Sequence, residues 1–335
     1  MARNKQTITL DISRSEAFEV LAQLVALSDI VIENFRPGTL ERWGLDPHAM
    51  TDRFPRTVWV RVSGYGQTGP NRHRGGYATI AECFSGLASF TGFPDRGPMV
   101  SAFPLGDYLA GVFGAFGAMV ALHHRERTGR GQVVDVSLFE PLFRIIEAAT
   151  GRFDQTGERK PRLGNQMEED VPRNVYATAD GGYIAISCGS QRIFERLMDA
   201  IGRNDLTTDP RFSSMASRAA HRGEIDAVVQ RWIASQRTED ALARLEAHQV
   251  VAGRVFDIAD IFKDAHYAAR EIIATVVDTQ LGPLRMPAPV PKLSATPGQI
   301  RWPGKESGAD NEAVYRDLLH LATATIDRLR SLQVI

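Results

Sequence analysis

Asp107 is the only charge in "SAFPLGDYLAGVFGAFGAMVAL", residues 101–122, where it stands between a glycine and a run of small and apolar residues. Two roles suit a carboxylate there. As an N-cap, it would accept a bond from an orphan backbone N–H and meet the positive end of the helix dipole. As a nucleophile, it would be held ionised by the same N–H groups and aimed at a ligand. Arg36 and Arg42, in "ENFRPGTLER", carry guanidiniums suited to phosphate oxygens, although taken alone they read as surface arginines. "GYGQTG", Gly64–Gly69, has the letters of a dinucleotide fingerprint, but Pro70 and the polar "NRHRGG" follow it instead of a helix. A pyrophosphate would lack its helix N-terminus, so the stretch reads as a glycine-rich loop. There is no GxxxxGK[ST], HExxH, paired CxxC or GxSxG. His123 and His124 sit beside basic residues at a helix end, where they face water and the dipole rather than a metal.

The elements that must position these residues alternate. "TITLDI" alternates like a strand, and "SRSEAFEVLAQLVALSD" places Ala17, Phe18, Leu21, Leu24 and Val25 at helical spacing. "IVIENF" and "TVWVRV" read as further strands, an order that predicts an α/β layer with parallel strands. The glycine- and proline-rich loops leaving both strands lie where such sheets bind ligands. The Asp107 helix should stop at Gly129, and "QVVDVSLFE" reads as a strand entering a helix. Beyond residue 150, "VYATADGGYIAIS" predicts a hairpin, residues 190–247 predict helices, and "VVAGRVF" a strand. The proline-rich stretch from Gly282 to Lys305 cannot form central strands, and a last helix is expected over 309–331.

The 335 residues suffice for two domains; 43% hydrophobic and 24% charged is a globular composition. A formal net charge of −1 gives no general attraction to nucleic acid or anionic membrane. Two distant cysteines, Cys83 and Cys188, suit core filling in a reducing cytoplasm. The start lacks a signal-peptide apolar region, and the apolar run Tyr108–Leu122 is too short to span a bilayer.

"DIVIENFRPGTLERWGLD", "VSGYGQTGP", "GYATIAECFSGLASFTG", "PLGDYLAG" and "ERTGRGQVVDVSLFE" resemble, in order and spacing, segments of the family III coenzyme A transferases. The resemblance continues through "TADGGYIAIS", "HQVVAGRVFDIADIFKDAHY" and "LGPLRMPAPVPKLSATPG" and covers nearly the whole chain. It implies an α/β fold: a Rossmann-like large domain (1–150, with 281–335 returning to it), a smaller α+β middle domain (165–280), and an interlocked homodimer. It implies that Asp107, matching the family's "GD" motif, is the nucleophile that exchanges coenzyme A (CoA) between an acyl-CoA and a small carboxylic acid. The intermediates would be an aspartyl anhydride and an aspartyl-CoA thioester, with acyl-CoA as substrate and no permanently bound cofactor. Leu10, Asp11 and Ser13 match an adenosine-side contact, with Ser13 where formyl-CoA transferases have Lys and Arg14 beside it. Asn34, Phe35, Arg36 and Arg42 match pantetheine and pyrophosphate contacts, and Arg74, in the 72–76 loop, a further one.

Against the family pattern, the chain opens at a point that is internal in the family, as if two βα units, roughly 60 residues, were missing. A non-catalytic CoA-binding dimer partner is therefore an alternative. "RLGNQMEEDVPRN" stands where formyl-CoA transferase has a glycine-rich closing loop. The related racemases use a His-Asp pair where this chain has Tyr77 and Ala78, so one of two bases for proton exchange is missing. Arg162, Arg173 or Arg192 would be candidates to hold the far carboxylate of a dicarboxylate.

Overall fold

The computed structural model describes residues 2–335, and the chain divides into two compact units. The large unit comprises residues up to 87, 100–151 and 265–335; the small unit comprises 88–99 and 152–264. The small unit thus ends short of residue 280, and the hairpin that follows belongs to the large unit.

In the large unit, α1 (Phe18–Leu27) leads to β1 (Ile30–Glu33), α2 (Thr39–Arg42), α3 (Pro47–Arg53), β2 (Val58–Ser63) and α4 (Ala78–Phe84). After α5 (Leu87–Phe90) come α6 (Leu105–Thr128), β3 (Val133–Ser137), α7 (Glu140–Ile145) and α8 (Glu147–Thr156), α5 and α8 falling at the unit boundaries. The three strands form a parallel sheet in the order β1-β2-β3. Val58, Val60 and Val136 meet α6 on one face; Trp59 packs on the other with Val25, Leu40, Leu45 and Met50.

α6 can lie close on the sheet because its inward face is made of small residues. Gly106, Ala110, Gly114, Ala118 and Ala121 are buried, and a Cβ on Gly117 would stand 2.8 Å from Val134. Gly129, at φ 75°, ends the helix as expected, and Arg125 is tied to Asp29 at 2.8 Å. At 24 residues α6 exceeds the apolar run read from the sequence and is long and apolar enough to cross a membrane. Only 28% of its most apolar window is buried, because the large side chains point outward: Val112 is 64% and Phe116 68% exposed.

"TITLDI" is extended but not laddered. Its backbone is claimed by the chain end: Thr7 N–H donates to Asp310 Oδ2 (2.8 Å), Thr9 N–H to Asn311 Oδ1 (2.9 Å) and Asp11 N–H to the Val334 carbonyl (2.8 Å). The last helix is also corrected. A π-helical turn at Ala313–Leu318 breaks at His320, which has φ 53°, and a separate helix, α15, follows over Thr323–Ser331.

The small unit holds an antiparallel sheet of β4 (Arg173–Ala177), β5 (Tyr183–Ser187) and β6 (Ala252–Arg254). Its core joins Ile184 and Ile186 to Phe194 and Leu197 of α9 (Gln191–Ala200). After α10 (Met215–Ala220), Ile225, Val229 and Ile233 of α11 (Arg222–Ala234) and Leu245 of α12 (Thr238–Ala247) complete it. α13 (Ile258–Ile261) closes the unit; α14 (Ala265–Ala269) and the hairpin β7 (Ile273–Asp278) and β8 (Gly282–Pro287) return to the large one. The prolines of β8 thus lie in a two-stranded ribbon, not a central strand.

Candidate active site

Asp107 is the third residue of α6, not its cap. Pro104 occupies the N-cap position, and no side-chain bond caps the helix. The carboxylate is exposed, and among the described residues no hydrogen bond or ion pair engages it. A carboxylate in a first turn meets the helix dipole and uncommitted N–H donors. It is therefore unspent, as an available nucleophile requires.

The head of α6 is seated by a close approach. A Cβ on Gly106 would lie 3.3 Å from the Ala78 Cα, so Asp107 and the exposed Tyr77 flank one backbone contact. Sequence reasoning noted Tyr77 only as the replacement for a base. Behind it the 72–76 loop meets the glycine-rich loop, since a Cβ on Gly76 would stand 2.7 Å from the Gly64 Cα. Neither position admits another residue without backbone movement. Arg36 covers Gly75, with Nη2 3.2 Å from where a Cβ would be. Phe35 stacks edge-on against Trp43 (5.3 Å), and Ile12 packs against the same cluster. Consecutive contacts thus connect the 10–13 segment, the 34–42 segment, the two glycine loops and Asp107.

Individual side chains differ in availability. Asn34, Arg36, Arg42 and Arg74 are exposed. Arg42 makes one bond, from Nη2 to Thr39 Oγ1 at 3.0 Å, and Arg74 lies over the Tyr65 ring at 5.8 Å. Leu10 is partly buried against the C-terminal cluster. The Ser13 hydroxyl donates to Asp11 Oδ1 (2.6 Å), and that bond, with the Ser13 N–H, holds the Asp11 carboxyl below its usual range. Arg14 lies 3.8 Å from Glu16.

Beneath the 34–42 segment lies a buried ionic cluster that sequence reasoning missed. Arg61, 3% exposed, donates from Nε to Glu33 Oε1 (2.6 Å) and from Nη1 to Glu41 Oε1 (2.9 Å). Glu33 Oε2 accepts the Phe35 N–H at 2.7 Å. Burial opposes the charge on Arg61, but the bonds to Glu33 and Glu41 outweigh it and raise its pKa. Strand register puts Glu33, Arg61 and Asp135 in one row across the sheet. Asp135 Oδ2 accepts the Gln67 N–H at 2.9 Å, and desolvation pushes the Asp135 carboxyl up. The sequence offered only a partial signal: "VWVRVS" places Arg61 on a buried strand but names no partner for it.

A cavity of about 610 Å³ adjoins the Asp135 end of this row, lined by Phe113, Asp135, Ser137, Glu140 and Phe143 among others; none of the residues singled out in sequence borders it. Among the described residues no group of three or more His, Cys, Asp or Glu could hold a metal ion. In the small unit Arg162 is spent on the carbonyls of Ser89 and Phe93. The "RLGNQMEED" stretch is pinned by Gly164 N–H to the Gly92 carbonyl (2.8 Å), Gln166 to Asp226, and Arg152 to Glu168 (2.6 Å). Tyr176 also donates to Asp226 (2.6 Å), whose carboxyl burial pushes up. Arg173 begins β4 and Arg192 lies in the first turn of α9.

Residues 1–311 match the family model described as CoA-transferase family III. The chain is 39% identical over 335 residues to a succinyl-CoA–D-citramalate CoA-transferase of Chloroflexus aurantiacus, covering all of this chain and 83% of that protein. It is 38% identical to the alpha subunit of a succinyl-CoA–L-malate CoA-transferase of Chloroflexus aurantiacus, covering all of this chain and 78% of that subunit. A crystal structure of a CaiB/BaiF family protein from Brucella suis superposes with a TM-score of 0.81 at 30% identity, covering 95% of this chain and 82% of that one. A Rossmann-like α/β unit, a free carboxylate at a helix mouth and these matches make the chain a member of the family III CoA-transferases.

Proposed function

We propose that the chain transfers CoA from an acyl-CoA to a free carboxylic acid with Asp107 as nucleophile. The observation that carries the mechanism is the exposed, unpartnered carboxylate in the first turn of α6. One Asp107 oxygen attacks the thioester carbonyl and expels CoA thiolate, leaving a mixed anhydride. The thiolate attacks the aspartyl carbonyl and releases the donor acid, giving an aspartyl-CoA thioester. The acceptor carboxylate attacks that thioester and again frees the thiolate. The thiolate then takes the acceptor acyl group from the second anhydride and restores Asp107. Each step exchanges one acyl bond for another, so the thioester energy is retained. The N–H donors of the first turn suit the developing oxyanions.

Arg36, Arg42 and Arg74 are the cations for the CoA phosphates, with Asn34 and Phe35 toward pantetheine and Leu10, Asp11 and Ser13 toward adenosine. The named activities of the relatives support a succinyl donor and a short hydroxydicarboxylate acceptor. A homodimer is favoured by the outward apolar face of α6, and a cytoplasmic setting by two free cysteines. The test is exchange between succinyl-CoA and labelled malate or citramalate, with hydroxylamine present during turnover. Labelled acyl-CoA and a hydroxamate at Asp107 are expected; exchange without a modified Asp107 would refute the mechanism.

A further inference from the structure

We propose that Arg61 is the positioning residue of the CoA site: by gripping Glu33 and Glu41 it fixes both ends of the Asn34–Arg42 segment and sets where Arg36 and Arg42 present their charges. The inference rests on reading that segment as the CoA contact. Glu33 directly precedes Asn34, and Glu41 directly precedes Arg42. One guanidinium from the central strand therefore holds the segment at entry and exit. The only regular structure in the segment is α2 at its exit, and before it Gly38 turns the chain at φ 84°. Glu33 reaches further by accepting the Phe35 N–H, which orients the backbone just before Arg36.

A buried ion pair is a poor device for stability, because desolvation offsets most of the attraction and apolar residues of similar volume serve as well. Its value here is directional. Two forked bonds specify where each carboxylate, and therefore each neighbouring residue, must lie. The same row continues to Asp135, which holds the Gln67 N–H of the glycine-rich loop, so both loops take their positions from one line of charges.

Substitution of Arg61 strands two carboxylates and threatens folding. Glu41, with 35% of its side chain exposed, is the variant to use. Glu41→Ala and Glu41→Gln in the full chain are titrated calorimetrically with CoA and with pantetheine, which lacks the nucleotide phosphates. Glu41→Ala should weaken CoA about tenfold and leave pantetheine unchanged. Glu41→Gln keeps an oxygen for Arg61 Nη1 and should stay within about threefold of the parent for CoA. A purely structural role would lower the melting temperature yet leave the CoA-to-pantetheine ratio unchanged, and that result overturns the proposal. Equal loss in both variants overturns it too. If the parent itself binds CoA and pantetheine equally, the phosphate reading of Arg36 and Arg42 fails first, and the proposal falls with it.

Discussion

Replacing one oxygen of Asp107 by nitrogen separates architecture from chemistry. In Asp107→Asn the side-chain volume is unchanged, and the Gly106–Ala78 contact that seats the helix is untouched. The carboxylate caps nothing and pairs with nothing among the described residues, so the fold loses only its interaction with the helix dipole. For an exposed first-turn acid that is about 0.3–1 kcal/mol. For a chain of 335 residues it lowers the melting temperature by about 0.4–1.4 °C. Catalysis should respond on another scale, because an amide cannot form the anhydride. Loss of a covalent nucleophile is expected to cost at least about 10³-fold in turnover, about 4 kcal/mol of barrier. The assay follows label passing from free dicarboxylate into acyl-CoA, with thermal melts on the same samples. Turnover within about tenfold of the parent would refute the nucleophile. A far larger drop in melting temperature would refute the description of the carboxylate as structurally idle.

Arg42→Ala should weaken CoA by one to two decades, about 1.5–3 kcal/mol, because its guanidinium is exposed and makes only one local bond; calorimetry checks this. Gly76→Ala must push against the Gly64 backbone and should cost about 1–3 kcal/mol, while Gly111→Ala, with nothing near its Cβ, should not destabilise; parallel melts compare them. Phe116→Glu places a charge on the outward face of α6 and should convert a sedimenting dimer to monomer, whereas an unchanged sedimentation coefficient removes that face from the interface. Lys305 and the Thr7 N–H hold the Asp310 carboxyl below the usual range. A depressed folded-state pKa stabilises fully above the unfolded value, about 3.9, and loses that contribution as pH falls through the folded one. Asp310→Asn should therefore flatten the acid limb of stability, seen in melts from about pH 6 to about pH 3.

Period and punctuation carried the fold where elements are locally determined. Three strands rich in valine and isoleucine, the Asp-Gly-Gly hairpin and the Gly129 stop each have a short-range cause, and each is found. "TITLDI" has the same local signature but not the ladder, because its backbone partners lie about 300 positions away at Asp310, Asn311 and Val334. The last helix misled for the opposite reason: its apolar spacing persists across His320, where the backbone turns left-handed. In the site, exposed arginines and the "GD" carboxylate were legible from motifs. Arg61 was not, since a lone arginine in "VWVRVS" acquires meaning only when register sets it beside Glu33 and Glu41 acts from another element. The cap reading of Asp107 failed by three positions, because the helix begins at Leu105 with Pro104 as its N-cap.

The crossing of Gly64 and Gly76 bears on how such a site can diversify. The two loops share a backbone contact with no side chain to adjust, so their shapes cannot drift independently. A substitution or insertion that re-routes one must be matched in the other. Changes of specificity would then arise as paired replacements of whole loops. A mutant library that randomised 64–69 alone would mostly sample broken sites, whereas one that exchanged 64–76 as a single cassette would keep the crossing intact.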